Sequence, residues 1–569
     1  MKSIHLPRLI SDGMIVQRDK KLHIYGWVTE NIPVKVSVIK VEVKKRTNLQ
    51  TVDAINSEIS VEGDRFFCTD RNISFRDGED LKVRFDAALS PLPAGGPYII
   101  EVKTEKECIR ISDVYSGDLY SLAGQSNIEL PMNRVLETYP EEAMTEDPLL
   151  RVFKVTECGN FHAPLRDHRT GIWKKTTKEN LQNFTALGYF FAKSLREKKD
   201  IPVGIIDTTL GGSTLEAWMS KEMLASFPHH LITAEKYADD DFIKKKKKKN
   251  AENASEWDSK ERAADKGLSE NWMSSDTDTK DWDTLTMPVF FKDIPELKGF
   301  IGCIWLKKHF NLTDSLKGKN VHLYLGTMTD ADTVYINGTE VGRTFYKYPP
   351  RRYAVPEGLL REGENEITIR LSVQSGCGLI TPGKVYALFT GDPVRKTDGF
   401  KESIEGISDV TDLTGEWKYR IGCKMSHVGP TDFVNWKPTA LFNGMLSPCT
   451  EIPVKGFVWY QGESNTGRCG EYKALFESFE NGLRKLWKED TLPVFFIKLP
   501  EFDNSNYEPD ESYVKKHDWE DMQKVQEKCA LLPYTYMIES VGTGEINDLH
   551  PQRKKPLGEA LAMKVTSLH

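Results

Sequence analysis

The chain is short of the features that would assign it quickly to several large classes. No apolar run approaches the ~20 residues that cross a bilayer, so no segment reads as a membrane span. The opening, MKSIHLPRLISDGM, has no continuous apolar stretch of the secretory kind. That leaves either an intracellular protein or an exported one whose leader has been cut away. The nine cysteines (68, 108, 158, 303, 377, 423, 449, 469 and 529) never form the close pairs of a zinc or redox motif. An odd, scattered set is no disulfide framework, and most are expected to be small buried hydrophobes. No H-E-x-x-H and no Gly-x-x-x-x-Gly-Lys-Ser/Thr occurs, which argues against a zincin metal site and a P-loop nucleotide site. A Gly-x-Ser-x-Gly elbow is also missing, so an ordinary α/β-hydrolase is not expected. Basic charge is not in excess. Lys plus Arg number 77 against 84 Asp plus Glu, for a net charge of -7 and a pI near 6.0, and nucleic acid is not an expected partner.

What is present fits a multidomain globular protein. The length, 569 residues, is about four times a typical domain, and 39% apolar with 10% aromatic residues can fill several cores. Residues 1–112 read as short strands, among them 21–28 (KLHIYGWV), 34–43 (VKVSVIKVEV) and 81–85 (LKVRF), as in a β-sandwich. After Asp113 the style changes. A strand ends at Gly124-Gln125-Ser126-Asn127, residues 187–195 have helical spacing, and 202–207 form a strand that ends near Gly211-Gly212-Ser213. Alternation of this kind predicts a parallel, helix-covered sheet. Six consecutive lysines, 244–249, read as a solvated linker or an exposed helix. From about Asn271 to Gly415 the chain is strand-rich again, as in an inserted β-sandwich. The α/β pattern resumes with strand 455–460, a long helix through Tyr472, Phe476, Phe479 and Leu483, strands 492–499 and 534–539, and a terminal helix over 552–565.

Open parallel sheets bind ligands beyond the carboxyl ends of their strands, and four loops there carry chemistry-bearing residues. Ser126 sits on a strand-to-helix turn, where a hydroxyl is presented beside free N–H groups, although a serine there can also simply cap the helix. Gly211-Gly212-Ser213 lets backbone approach a ligand, and an ordinary turn does the same. Gln461-Gly462-Glu463-Ser464-Asn465 concentrates amide and carboxylate groups. Asn547-Asp548-Leu549-His550-Pro551 supplies a base and an acid from one loop, which is what an acyl-transfer serine needs.

Taken in order, these blocks (GQSN; Gly-Gly-Ser followed by Glu216-Ala217-Trp218; WYQGESN; DLHP) closely resemble the sialate O-acetylesterase family of SGNH hydrolases. Residues 11–20 (SDGMIVQRDK) are similar to that family's opening, and the strand-rich middle is similar to its inserted galactose-binding-like domain. The resemblance implies an α/β fold: a flavodoxin-like SGNH domain (113–255 and 421–569), an N-terminal β-sandwich (1–112) and an inserted β-sandwich with linkers (256–420).

The function it implies is hydrolysis of O-acetyl esters on carbohydrate, sialic acid first, by an exported protein that needs no metal or cofactor. By block, it makes Ser126 the nucleophile and His550 the general base. Ser126 N–H, Gly212 N–H and an amide from either Gln461 or Asn465 form the oxyanion hole, with Gln125 and Glu463 in support. Two departures stand out. Ile128-Glu129-Leu130 replaces the more usual Met-Glu-Trp. The orienting acid usually lies three residues before the histidine, where this chain has Asn547, while Asp548 lies two before; Asp548, which carries the charge, is the expected partner of His550, with Asn547 as the alternative in a Ser–His dyad. None of the four blocks falls between Asn271 and Gly415, so that segment is expected to act on the site by bulk alone. Two alternatives stand beside this reading: deacetylation of xylan, pectin or another glycan, and a non-catalytic carbohydrate-binding protein.

Overall fold

The computed structural model describes residues 3–42, 45–58, 83–314, 316–503 and 518–568. Leu81 and Lys82 of one expected strand, and Cys68, lie outside them. At the centre is a mostly parallel sheet. Its strand order is Trp173–Thr176, Asp147–Lys154, Val203–Asp207, Cys108–Gly124, Gly456–Tyr460, Val494–Ile497 and Thr535–Ile538, with only the Trp173–Thr176 edge strand antiparallel. Gly456–Tyr460 and Val203–Asp207 are buried at every position, as strands covered by helices on both faces must be. The amphipathic helices Ala186–Lys199 and Cys469–Trp487 bury Phe190, Phe191 and Leu195, and Phe476, Phe479 and Leu483. Both end on a left-handed residue, Asp200 and Lys488.

The N-terminal strands are not a separate body. Cys108–Gly124 runs for 17 residues, pairing antiparallel with Gly95–Lys103 before it enters the parallel sheet. Ile15–Gln17 adds to it in parallel, and the hydrophobic core is continuous from Ile4 and Trp27 to Val565.

Between residues 283 and 424 two antiparallel sheets share one apolar core. Ile304, Leu306, Ile367 and Ile369 come from the six-stranded sheet, and Leu323, Val355 and Leu388 from the four-stranded one. The lysine run lies in the 25-residue helix Asp240–Ala264, which turns Trp257 and Glu261 inward. Here Glu261 and Asp265 clamp the Arg370 guanidinium of the six-stranded sheet, at 2.9 and 2.8 Å. The boundaries expected at 112/113, 255/256 and 420/421 therefore fall inside continuous elements, Cys108–Gly124, Asp240–Ala264 and Gly415–Lys424. Hydrogen bonding runs on where composition changes. Strand Asp147–Lys154 and helix Asp518–Cys529, the latter burying Trp519, Met522, Gln526 and Cys529 along one face, add to the elements expected from the sequence.

Among the described residues all the cysteines are free. Cys108 is exposed, Cys469 half-buried and the others buried. No helix among them is long and apolar enough to cross a membrane.

Candidate active site

The strands Cys108–Gly124 and Gly456–Tyr460 are neighbours, and the chain passes from the first into the loop that carries Ser126 through Gly124 at φ 135°. A Cβ at Gly124 would stand 2.2 Å from the Tyr460 carbonyl oxygen, so only glycine lets the loop sit against this strand. The Gln125 N–H then donates to that carbonyl at 3.0 Å. Gln125 is the N-cap of the short helix Ser126–Glu129, which frees Ser126 from the capping role.

The Ser126 hydroxyl lies 2.8 Å from His550 Nε2. This contact joins residues 424 apart in sequence, from opposite ends of the α/β domain. The half-buried Ser126 and buried His550 line one wall of an open cavity of about 650 Å³, together with Gln125, Glu129, Gly211, Gly212, Glu463 and Ser464. Burial pushes the His550 ring down to about 4, against the pull of Asp548 in the other direction, so the ring is neutral at pH 7 and able to accept a proton. Tyr348 packs edge-on to it, ring centroids 4.7 Å apart.

The second loop approaches closely. A Cβ on Gly211 would lie 3.5 Å from that of Ser126 and 2.9 Å from Glu129 Oε2, which accepts the Gly211 N–H at 2.6 Å. Gly212 has φ 73°, and a Cβ there would strike the Trp436 indole at 2.0 Å; the glycine thus leaves room for Trp436 in the cavity lining. Among the described residues no protein acceptor pairs with the N–H of Ser126 or of Gly212.

The third loop corrects an expectation. Gln461 and Asn465, named for the oxyanion hole, are buried beneath the cavity and do not line it. Gln461 Nε2 donates to Ser213 O and Asn465 Oδ1, and Asn465 Nδ2 donates to Glu216 Oε2. Their donors are spent on tying the second loop to the third, since Asn465 Oδ1 also accepts the Leu215 N–H. Gln125 is the cavity-lining amide instead. Its Oε1 accepts the Ser464 N–H, and among the described residues no acceptor pairs with its Nε2.

The fourth loop differs from expectation as well. Asp548 Oδ1 accepts the backbone N–H of His550 at 2.9 Å, and the ring Nδ1 has no acceptor assigned among the described residues. A carboxylate two residues before the histidine folds back onto the main chain more easily than onto the ring. The Asn547 amide donates to the carbonyls of Pro382 and Phe400. Residues 382–402 therefore touch this loop directly, and with Tyr348 they show that the strand-rich segment brings charge and ring contacts, not bulk alone.

Two residues of the site carried no usable sequence signal. Asn127 Nδ2 donates to Glu463 Oε1 and to Leu549 O, while its Oδ1 accepts from the ammonium of Lys554. Burial pushes Lys554 down to about 7, and desolvation raises the carboxyl of the half-buried Glu463. This trio welds three of the four loops together behind Ser126. Lysine at the start of a helix is too common to single out. Arg134 is the other. It lines the cavity with its Nε buried and unbonded, and its pKa is lowered by desolvation. Away from the cavity, His229, His230 and Glu471 bring three donor atoms within 4.8 Å of one another, but Arg468 already pairs with the Glu471 carboxylate.

The match to a family model places the chain among the carbohydrate esterases. A carbohydrate acetylesterase from Xanthomonas citri superposes over 98% of this chain and 74% of its own, with a TM-score of 0.52 at 20% identity. The model of the family described as carbohydrate esterase, sialic acid-specific acetylesterase, matches residues 116–253 and 414–567, just over half of the chain, and the chain belongs to that family. It is 29% identical over 148 residues to the sialate O-acetylesterase of Rattus norvegicus, which is 24% of this chain and 27% of that protein. The human sialate O-acetylesterase is 28% identical over an equal length. These alignments span about a quarter of the relatives they match.

Proposed function

We propose that the chain is a serine esterase that removes O-acetyl groups from carbohydrate, sialic acid foremost, through an acetyl-Ser126 intermediate. The observation that carries this reading is the 2.8 Å Ser126–His550 contact at the carboxyl edge of a parallel sheet. In the proposed reaction His550 takes the hydroxyl proton as Ser126 attacks the acetyl carbonyl, then passes it to the departing sugar oxygen. The N–H groups of Ser126 and Gly212 receive the oxyanion. The Gln125 amide is the third donor in this reading, in place of Gln461 or Asn465, because it lines the cavity with hydrogens to give. Water attacks the acetyl-enzyme with His550 again as base. No step draws on a metal or cofactor.

The strand order supports an SGNH, flavodoxin-like core. Without the strands Asp147–Lys154 and Trp173–Thr176, the remaining five run 2-1-3-4-5, and Ser126 leaves strand 1 beside strand 3, where such sheets open. In this reading the N-terminal strands and the two antiparallel sheets between residues 283 and 424 correspond to the family's N-terminal and inserted galactose-binding-like sandwiches, without the boundaries expected from composition. Export, to the periplasm or beyond, follows the family.

Arg134 favours an acidic sugar. A desolvated guanidinium with no carboxylate partner among the described residues is costly unless a ligand pairs with it. The test compares acetyl-ester turnover of wild type and Ser126→Ala on O-acetyl sialic acid, on its carboxyl methyl ester and on acetylated xylan. A loss of about 10⁴-fold in the variant with an unchanged melting point supports the nucleophile. Activity within tenfold of wild type overturns it, and faster turnover of xylan moves the substrate to neutral glycans. Arg134→Gln should raise KM on the acid about tenfold and leave the methyl ester unaffected.

A further inference from the structure

The loop that carries His550 is held less by its own domain than by the antiparallel segment. We propose that Lys384 is a positioning residue for the histidine, holding the Asp548 carboxylate against the His550 main chain and offsetting its charge at the ring. The proposal rests on His550 being the base of the reading above.

Lys384 is buried, with its side chain 2% exposed. Its ammonium donates to Glu545 Oε2 at 2.9 Å and to Asp548 Oδ2 at 3.2 Å. Asp548 is thus shared: one oxygen takes the His550 N–H and the other takes Lys384. Glu545, itself buried, is also gripped by Arg395 at 2.6 Å, and Arg395 bonds Glu402 at 2.9 Å. Burial works against the charge on Lys384, but Asp548, Glu545 and Glu402 outweigh it and favour the ammonium.

The main chain reinforces the same junction. Ile546 N–H donates to Gly399 O at 2.8 Å, and the Asn547 amide reaches Pro382 and Phe400. A carboxylate that faced the imidazole alone would favour its protonated form strongly; one bound on its far oxygen by an ammonium does so less. The charged and titratable groups around the ring are Asp548, Lys554, Arg134 and Lys347, with Tyr348 across its face. Lys384 acts on this set through Asp548.

The experiment follows the His550 ring titration by NMR of the full chain carrying ¹³C-labelled histidine, assigned with His550→Gln, alongside the pH profile of acetyl-ester kcat/KM. In Lys384→Met the His550 midpoint should rise by about one pH unit, and kcat at pH 7 should fall about tenfold with KM little changed. Lys384→Arg should restore both. In an Asp548→Asn background, removing Lys384 should no longer move the midpoint. Lys384→Gln, which keeps a donor without the charge, serves as the second variant should Lys384→Met not fold. An unmoved midpoint in folded Lys384→Met or Lys384→Gln, or a shift of equal size in the Asp548→Asn background, overturns the proposal. The ring titration reads Lys384 whether or not the protein turns over esters, so a protein that shifts as expected but hydrolyses none defeats the esterase reading alone.

Discussion

The loops carrying Ser126 and His550 meet at one 2.8 Å contact, yet they are built by different physics. The serine loop is placed by backbone. Gly124 allows contact with Tyr460, Gly211 lets its own N–H close on the Glu129 carboxylate, and a four-residue helix follows at Ser126. The histidine loop is placed by charge. Glu545 and Asp548 are pinned by Lys384, on the turn before strand Tyr386–Thr397, and by Arg395, on that strand, and Lys554 anchors Asn127 from behind. A loop set by sterics has one workable geometry, written in a few glycines. A loop set by buried ions depends on every partner being present, because a buried charge that loses its partner is penalised strongly.

Three changes would break or sharpen this contrast. The largest effect is expected from Gly124→Ala. Positive φ and the clash with the Tyr460 carbonyl should cost about 1–3 kcal/mol of stability, and displacement of Ser126 by an ångström should lower acetyl-ester kcat about 10²-fold. Thermal unfolding and steady-state kinetics on one preparation check both. An alanine variant that keeps full activity would mean that the serine loop is not placed by its glycine.

Asp548→Asn should have a smaller effect, a fall of roughly 30-fold in kcat. The amide oxygen can still accept the His550 N–H, and what is lost is the charge. Asn547→Ala should cost under about tenfold, since its amide serves the junction with residues 382 and 400. If Asn547→Ala proves the more damaging, the histidine loop depends on that junction more than on the carboxylate.

The smallest effect is a displacement in pH. With His550 held at about 4 against an ordinary 6.5, kcat/KM should stay level down to about pH 5 and then fall. Stability moves in the same direction. The unfolded ring binds its proton first as the pH falls below 6.5, so this residue's contribution declines through about 4 and is intact above 6.5. Asp548→Asn should move the acid limb further down. An acid limb near 6.5 in wild type would show that the ring is solvated in the working enzyme.

Much of the α/β region was legible because its signals are local. The apolar faces of Ala186–Lys199 and Cys469–Trp487 repeat with helical spacing, the buried strands Gly456–Tyr460 and Val494–Ile497 are short unbroken apolar runs, and the block GQSN marks its own turn. The serine and histidine could therefore be named from residue type, order and position at strand ends. Which amide faces the cavity could not. Gln125, Gln461 and Asn465 are alike in chemistry, and only packing assigns the last two to ties between loops. The same holds for the acid, since Asp548 and Asn547 differ by one position and the turn decides where each side chain goes.

By itself the sequence determined the succession of strands and helices, the four polar loops and the pair Ser126 and His550, because periodicity and turn chemistry act over a few residues. Tertiary structure alone decided that Lys384 and Tyr348, with no motif around them, stand against the histidine and its loop, that Lys554 lies behind the serine and that Arg134 lines the cavity. Those roles depend on burial and on partners as much as 427 residues away, and neither is encoded in the spacing of neighbouring residues.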